Sequence, residues 1–136
     1  MVSYCVFLQA RINSKRLSKK VLKKICGKSI LELIIERLSQ IDDIDNIILV
    51  TGTKEHNKSL IVEAKRLNLD YFCGSEENIL DRFFKASQKY NPDNIIRITA
   101  DNPIIDLNLL ANGIKIFNEA NYDILTIDNQ SFPKGL

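Results

Sequence analysis

Short apolar runs alternate with segments of helical period along most of this chain, and that alternation restricts its fold more than any other feature. Val2–Gln9 (VSYCVFLQ) is apolar nearly throughout and carries β-formers, as a strand covered on both faces does. Asn46–Thr51 (NIILVT) predicts a second buried strand, Asp70–Phe72 a short third, Asn94–Thr99 (NIIRIT) a fourth and Tyr122–Ile127 a fifth. Ile30, Leu31, Leu33, Ile34, Ile35 and Leu38 recur at helical spacing and predict a helix over 29–40. A second helix is expected from about Glu55 to Leu67, with Leu60, Ile61, Ala64 and Leu67 on one face. Ser75 reads as the N-cap of a third, with Glu76 and Glu77 at its positive end. That helix is expected to pack Ile79, Leu80, Phe83 and Phe84 and to stop before Pro92. Asp106 caps a fourth, carrying Leu107, Leu110, Ile114 and Phe117. Gly27 marks a turn, and Val21–Ile25 before it is too short to assign. Strands alternating with helices mean parallel βαβ units with right-handed crossovers. The expected fold is therefore α/β, a three-layer sandwich with a mainly parallel sheet, in one domain over residues 1–136.

The charge is unevenly spread. Seven of the nineteen basic residues fall between Arg11 and Lys24 (Arg11, Lys15, Arg16, Lys19, Lys20, Lys23 and Lys24), with no acid among them. The first ten residues carry no charged side chain, so the remaining twelve basic residues stand against all seventeen acids. A nucleic-acid face would be broad and interleaved with stacking aromatics. A single basic loop on an acidic body suits a small polyanion instead. There is no uncharged apolar run long enough to span a membrane. The basic residues follow the first apolar run rather than precede it, unlike a signal peptide, so a cytoplasmic protein is expected. Cys5, Cys26 and Cys73 are widely spaced and read as reduced, mostly buried thiols. His56 is the only histidine, which excludes a Ser-His or Cys-His catalytic pair built on a second one, and it reads as solvated.

In an open parallel sheet, ligands bind beyond the carboxyl ends of the strands at the switch point. If the first strand lies beside the fourth, two tips meet there. One is Gln9-Ala10-Arg11 with its basic loop; the other is Thr99-Ala100-Asp101. The loop QARINSKRLSKK lacks the glycines of a Rossmann or Walker motif, so its phosphate-binding resources are side chains and exposed backbone amides. Arg11 and Arg16 suit bidentate phosphate contact, while the pattern alone leaves Lys20 between a phosphate contact and solvated surface. Lys23 and Lys24 read as solvated surface. Asp101 at a strand tip beside a triphosphate would be a natural Mg²⁺ ligand, because Mg²⁺ takes oxygens and neutralises phosphate charge. A turn acid before Asn102-Pro103 is the alternative. Asp106 reads as a cap.

The segment LQARINSKRLSKKVLKKICGKSILELIIERL resembles the opening of the sugar-acid cytidylyltransferases, in particular the SpsF-like spore coat polysaccharide branch. The CMP-KDO and CMP-acylneuraminate synthetases are more distant relatives. The family opening reads ARxxSxRLPGKxL, then a GKP turn and an IERL helix. Ala10, Arg11, Ser14, Arg16, Leu17, Lys20 and Leu22 fall in register with it, as do Gly27-Lys28 and Glu36-Arg37-Leu38. FCGSEENILDRFFKA and IIRITADNPIID match further on, and the likeness runs in order to the final FPKGL. The resemblance implies a nucleotidyltransferase fold of Rossmann-like type. It implies attack by a sugar or sugar-acid hydroxyl on the α-phosphate of CTP, with release of pyrophosphate, in surface polysaccharide biosynthesis. Arg11 and Lys20 would be catalytic. Ala10, Arg11, Ser14, Arg16, Lys20, Ser75 and Asp81 would bind the nucleotide, and Asp101 would hold Mg²⁺.

Two local departures from the pattern stand out. The Pro-Gly of RLPGK is Ser18-Lys19, which alters loop stiffness and backbone freedom. Gly52 in VTGT stands where relatives often carry a small hydroxyl residue, so a base or ribose hydrogen bond is lost there or passes to Thr51 or Thr53. Relatives also continue past the (F/Y)P.GLD.E segment. The continuation normally supplies sugar-acid contacts, a dimerisation element and a second acidic Mg²⁺ ligand. The expected partners are thus CTP, a sugar or sugar acid, and a second copy or a complementary C-terminal fragment. The competing readings are a non-catalytic nucleotide-binding or assembly module and a nucleotidyltransferase of different nucleotide or sugar specificity.

Overall fold

The computed structural model describes residues 2–12 and 19–127. Ser14 and Arg16 lie outside the described residues, as do the rest of 13–18 and the segment 128–136. Four parallel strands form the main sheet: β1 (Tyr4–Gln9), β4 (Ile44–Thr51), β5 (Asp70–Cys73) and β6 (Asn94–Thr99), in the order β5-β4-β1-β6. Between β1 and β4 come a short 3₁₀ turn at Lys20–Leu22 and a two-stranded hairpin of β2 (Lys24–Ile25) and β3 (Lys28–Ser29). The hairpin turn places Cys26 at φ 51° and Gly27 at φ 84°. Two successive positive φ values are what a two-residue primed turn requires, and glycine meets the second at no steric cost.

Helix α1 (Ile30–Leu38) and α2 (Lys58–Arg66) cover one face of the sheet. Their Leu31, Ile34, Leu38, Leu60 and Ala64 pack on Val6, Leu8 and Leu49. Helix α3 (Ile79–Tyr90) covers the other face, with Ala86, Phe83 and Tyr90 against Cys5, Phe7, Ile48 and Val50. Helix α4 (Leu107–Glu119) returns to the first face, where Ile114 and Phe117 meet Tyr4 and Ile41. This is the expected three-layer α/β sandwich. β1 is its central strand, paired on both edges, which is why every residue from Tyr4 to Leu8 is buried.

Several expectations are corrected. Asn78 caps α3, its Oδ1 accepting from the Asp81 amide at 3.0 Å. Ser75 sits one turn earlier, its Oγ accepting from the Asn78 amide at 2.9 Å. The packed stripe of α3 is Arg82, Phe83 and Ala86, whereas Leu80 and Phe84, a helical turn apart, face outward at 81% and 58% exposure. Apolar periodicity pointed to the wrong stripe, because the packed one includes an arginine and the exposed one two large apolar side chains. Tyr122–Ile127 forms no strand; all its residues are exposed. Of the thiols only Cys5 is buried, while Cys73 is half-buried and Cys26, at the hairpin tip, is exposed. Among the described residues no helix is long and apolar enough to cross a membrane.

Candidate nucleotide site at the tips of strands β1 and β6

The sheet order reverses at β1: the chain winds outward through β4 and β5, then returns to β6 on the other side. The switch point therefore opens between the tips of β1 and β6. Gln9 and Thr99 are directly paired, and the Ala100 amide donates to the Gln9 carbonyl at 2.9 Å. This brings Ala10 and Arg11 alongside Ala100 and Asp101, as topology alone had suggested. Ala10 is buried, while Arg11 and Asp101 are exposed at the two tips. The Asp101 Oδ1 accepts from the Thr99 hydroxyl at 2.9 Å, which fixes the carboxylate at the mouth of the crevice. The loop after Asp101 is anchored from α1: Arg37 Nε and Nη2 donate to the Ile105 carbonyl at 3.1 and 2.5 Å. Lys28 pairs with Glu36 at 2.6 Å, so the GK and ERL segments meet in the fold.

The basic loop leaves β1 at Arg11 and rejoins the described chain at Lys19. Its base is closed by the Lys19 amide, which donates to the Ile12 carbonyl at 3.2 Å. Lys20 begins the 3₁₀ turn and is half-buried; Lys23 and Lys24 are exposed. Asp81 lies on the first turn of α3 and pairs with Lys85 at 2.9 Å, one turn along the same helix.

Two residues near the site, Arg97 and Asn57, had no distinct signal in the sequence; Arg82 fell in the LDRF match, which suited a nucleotide contact or an exposed helix pair with Asp81 equally, and it is buried instead. Arg97, from β6, donates to Gln9 Oε1 at 3.2 and 2.9 Å and lies 5.4 Å from the Phe83 ring centroid. Arg82 is 1% exposed, and its Nη1 donates to the Ser75 carbonyl at 3.1 Å. Burial pushes the Arg82 guanidinium below its usual range; nearby Glu76 opposes that, while Arg11 and Arg97 add to it. Arg82 is thus a buried charge held among Glu76, Arg11 and Arg97 rather than part of an open surface. Asn57 is fully buried, and its Oδ1 accepts from the Ile12 amide at 3.0 Å.

Among the described residues no cluster of three or more His, Cys, Asp or Glu could hold a metal by itself. A single strand-tip carboxylate such as Asp101 nonetheless fits Mg²⁺, which is commonly held by one or two carboxylates together with substrate phosphates and water.

A doubly wound parallel sheet with helices on both faces, and with Arg11 and Asp101 at the paired strand tips of its switch point, defines an α/β fold of nucleotidyltransferase type. A family model described as Cytidylyltransferase matches residues 5–134. The chain belongs to the cytidylyltransferase family. It is 38% identical over 122 residues to an uncharacterized protein of Methanocaldococcus jannaschii, covering 90% of this chain and 50% of that one. It is 37% identical over 107 residues to the spore coat polysaccharide biosynthesis protein SpsF of Bacillus subtilis, covering 76% of this chain and 45% of that one. A solved cytidylyltransferase from Leptospira borgpetersenii superposes with a TM-score of 0.82 at 27% identity, over 89% of this chain and 51% of that one. The chain spans about half the length of the relatives it matches.

Proposed function

We propose that this chain forms the nucleotide-binding half of an enzyme that transfers CMP from CTP to a hydroxyl of a sugar or sugar acid. The observation that carries this reading is the juxtaposition of Arg11 and its basic loop with Asp101 at the paired tips of β1 and β6. Arg11 and Lys20, with Arg16 and Ser14 of the loop, would hold the triphosphate. Arginine and lysine aimed at the α-phosphate stabilise the charge that builds there as the acceptor oxygen attacks. The new bond joins that oxygen to the α-phosphorus. The bond to the bridging oxygen breaks, its electron pair leaves with pyrophosphate, and the acceptor hydroxyl gives its proton to water. Mg²⁺ held by Asp101 would supply charge neutralisation on the phosphate oxygens. Ala10 stands where a base can approach the sheet tip, with Ser75 and Asp81 on the neighbouring loop and helix as base or ribose contacts. The SpsF relative favours a polysaccharide precursor as the acceptor.

Completion of the site by further polypeptide, a second copy or a complementary fragment, belongs to the same proposal. β6 ends the sheet among the described residues, and Ile95 on it and Ile104 just after it are exposed. An open edge with uncovered apolar side chains is what an added strand or domain would cover.

The test is calorimetric titration with CTP, UTP, GTP and ATP in the presence of Mg²⁺, followed by a pyrophosphate-release assay with a panel of sugar acids. Preference for CTP with release of pyrophosphate is the expected result. Binding without turnover would leave a nucleotide-binding module, and equal affinity for all four nucleotides would overturn the assignment to CTP.

A further inference from the structure

Four residues from three separate segments of the chain close into one hydrogen-bonded network at the end of β1. The Glu76 carboxylate reaches back from the loop after β5 to the loop after β4. There its Oε2 accepts from the Thr53 amide at 2.9 Å and from Asn57 Nδ2 at 3.1 Å. Asn57 Nδ2 also donates to the Thr53 carbonyl at 2.9 Å, while Asn57 Oδ1 accepts from the Ile12 amide at 3.0 Å. Ile12 is the residue whose carbonyl closes the base of the loop on Lys19. Every polar atom of the Asn57 side chain is therefore engaged, in a fully buried position. The orientation of its amide is fixed by these partners: the nitrogen faces two acceptors and the oxygen faces an N–H.

The same network accounts for Gly52. A Cβ there would lie 1.8 Å from Glu76 Oε2 and 2.5 Å from its carboxyl carbon. The space a side chain would fill is occupied by the carboxylate. The Gly52 backbone is not in the left-handed region, so close approach rather than backbone freedom is what calls for glycine.

We infer that Glu76 and Asn57 are positioning residues for the nucleotide loop, acting through the Ile12 backbone to fix where Arg11 and Lys20 stand. This inference rests on the proposed nucleotide site, and it extends that site to two residues that need not touch ligand. A buried amide bridging two loops is costly to leave half-satisfied, so the network has one favoured arrangement. That arrangement sets the exit direction of the loop from β1.

The test has a ligand-free arm and a ligand arm. In native-state amide exchange the Ile12 and Thr53 amides should be protected together, and both should lose protection in Glu76→Ala. Exchange of the Ile12 amide at the free-peptide rate in the parent chain would overturn the inference, whatever the nucleotide result. In calorimetry with CTP and Mg²⁺, Asn57→Ala should weaken affinity about tenfold per folded molecule, the scale of one lost buried hydrogen bond. Glu76→Gln, which keeps an acceptor oxygen for Thr53 and Asn57, should stay within about threefold. Leu60→Ala, a core truncation on the same helix as Asn57, should lower the melting temperature while leaving affinity per folded molecule unchanged. Equal losses of affinity in Asn57→Ala and Leu60→Ala would reduce Asn57 to a stabilising residue and refute the positioning role. Failure of the parent chain to bind CTP would refute the nucleotide assignment instead, and the exchange arm would still decide the network. Should Asn57→Ala not fold, Gly52→Ala replaces it: no hydrogen-bonding group is removed, yet the carboxylate must move, and affinity should fall by a similar factor.

Discussion

Replacing Arg82 by methionine separates two opposed contributions at the heart of the site. Methionine keeps an unbranched stem of similar reach, so the close packing of that stem beside Gly74, just after β5, should survive with little cavity. What goes is a charge that is 1% exposed and its hydrogen bond to the Ser75 carbonyl. A hydrogen bond from a charged donor contributes about 1.5–3 kcal/mol, and the orphaned carbonyl adds to the loss. Glu76 also loses a neighbouring positive charge, and its Oε1 is already buried without a partner. Against this, the variant no longer buries a guanidinium and no longer sets it against Arg11 and Arg97. We expect the losses to win by about 2 kcal/mol, because removing one member of a buried charge arrangement strands the other. For a chain of this size that is a fall of roughly 6–8 °C in melting temperature. Urea unfolding followed by circular dichroism measures it, with an unchanged m-value expected. The double variant Glu76→Gln/Arg82→Met should lose less than the sum of the two single changes, by about 1 kcal/mol. An Arg82→Met protein as stable as the parent, or more so, would show that desolvation and repulsion dominate, and the reasoning would fail.

Arg11→Ala should weaken CTP binding about tenfold, and Asp101→Asn should flatten the dependence of that binding on Mg²⁺ concentration; titrations at several Mg²⁺ concentrations measure both. The Glu63 carboxyl is held at about 2, chiefly by Arg66, with help from the Ser29 hydroxyl and against burial. Its folded value lies below the ordinary 4.5, so its contribution is complete above that pH and is lost as pH falls from there toward 2. Arg66 is half exposed, so the effect is small, under about 1 kcal/mol, and Glu63→Gln should remove that part of the acid-unfolding slope. Burial, with Asp45 and Asp70 nearby, pushes the Cys5 thiol up to about 11. A disulfide reagent at pH 8 should therefore label exposed Cys26 quickly and Cys5 only on unfolding; rapid labelling of Cys5 in the native protein would contradict the central placement of β1.

The strands were legible because a central parallel strand is buried on both faces and must be apolar throughout. β6 matched the predicted Asn94–Thr99 to the residue, and β1 and β4 differ from prediction only at their starts. The misreadings came where that rule loses force. On α3 the sheet took the stripe containing a buried arginine over the more apolar one with Leu80 and Phe84. Tyr122–Ile127 has the composition of a strand, but composition says nothing of whether a neighbour is present to pair with it.

The site divides along the same physical line. The placement of Arg11 and Asp101 at paired strand tips follows from topology plus residue type, because a switch point needs only an order of strands. Residues that act through a directed hydrogen bond do not. Asn57 looks like any polar residue at a helix start, and Glu76 like a favourable charge near a helix N-terminus, until the loops after β4 and β5 are brought together. Gly52 marks the difference. In the sequence it stands as a lost hydroxyl, and in the fold it is the clearance through which Glu76 reaches Thr53 and Asn57. The missing side chain is thus not a vacancy in the proposed nucleotide site. It is the condition for a carboxylate from one loop to fix another, and through Ile12 to fix the loop that carries the positive charge. A glycine that breaks a family pattern next to a ligand loop is therefore better examined for what occupies its Cβ position than for the group it lacks.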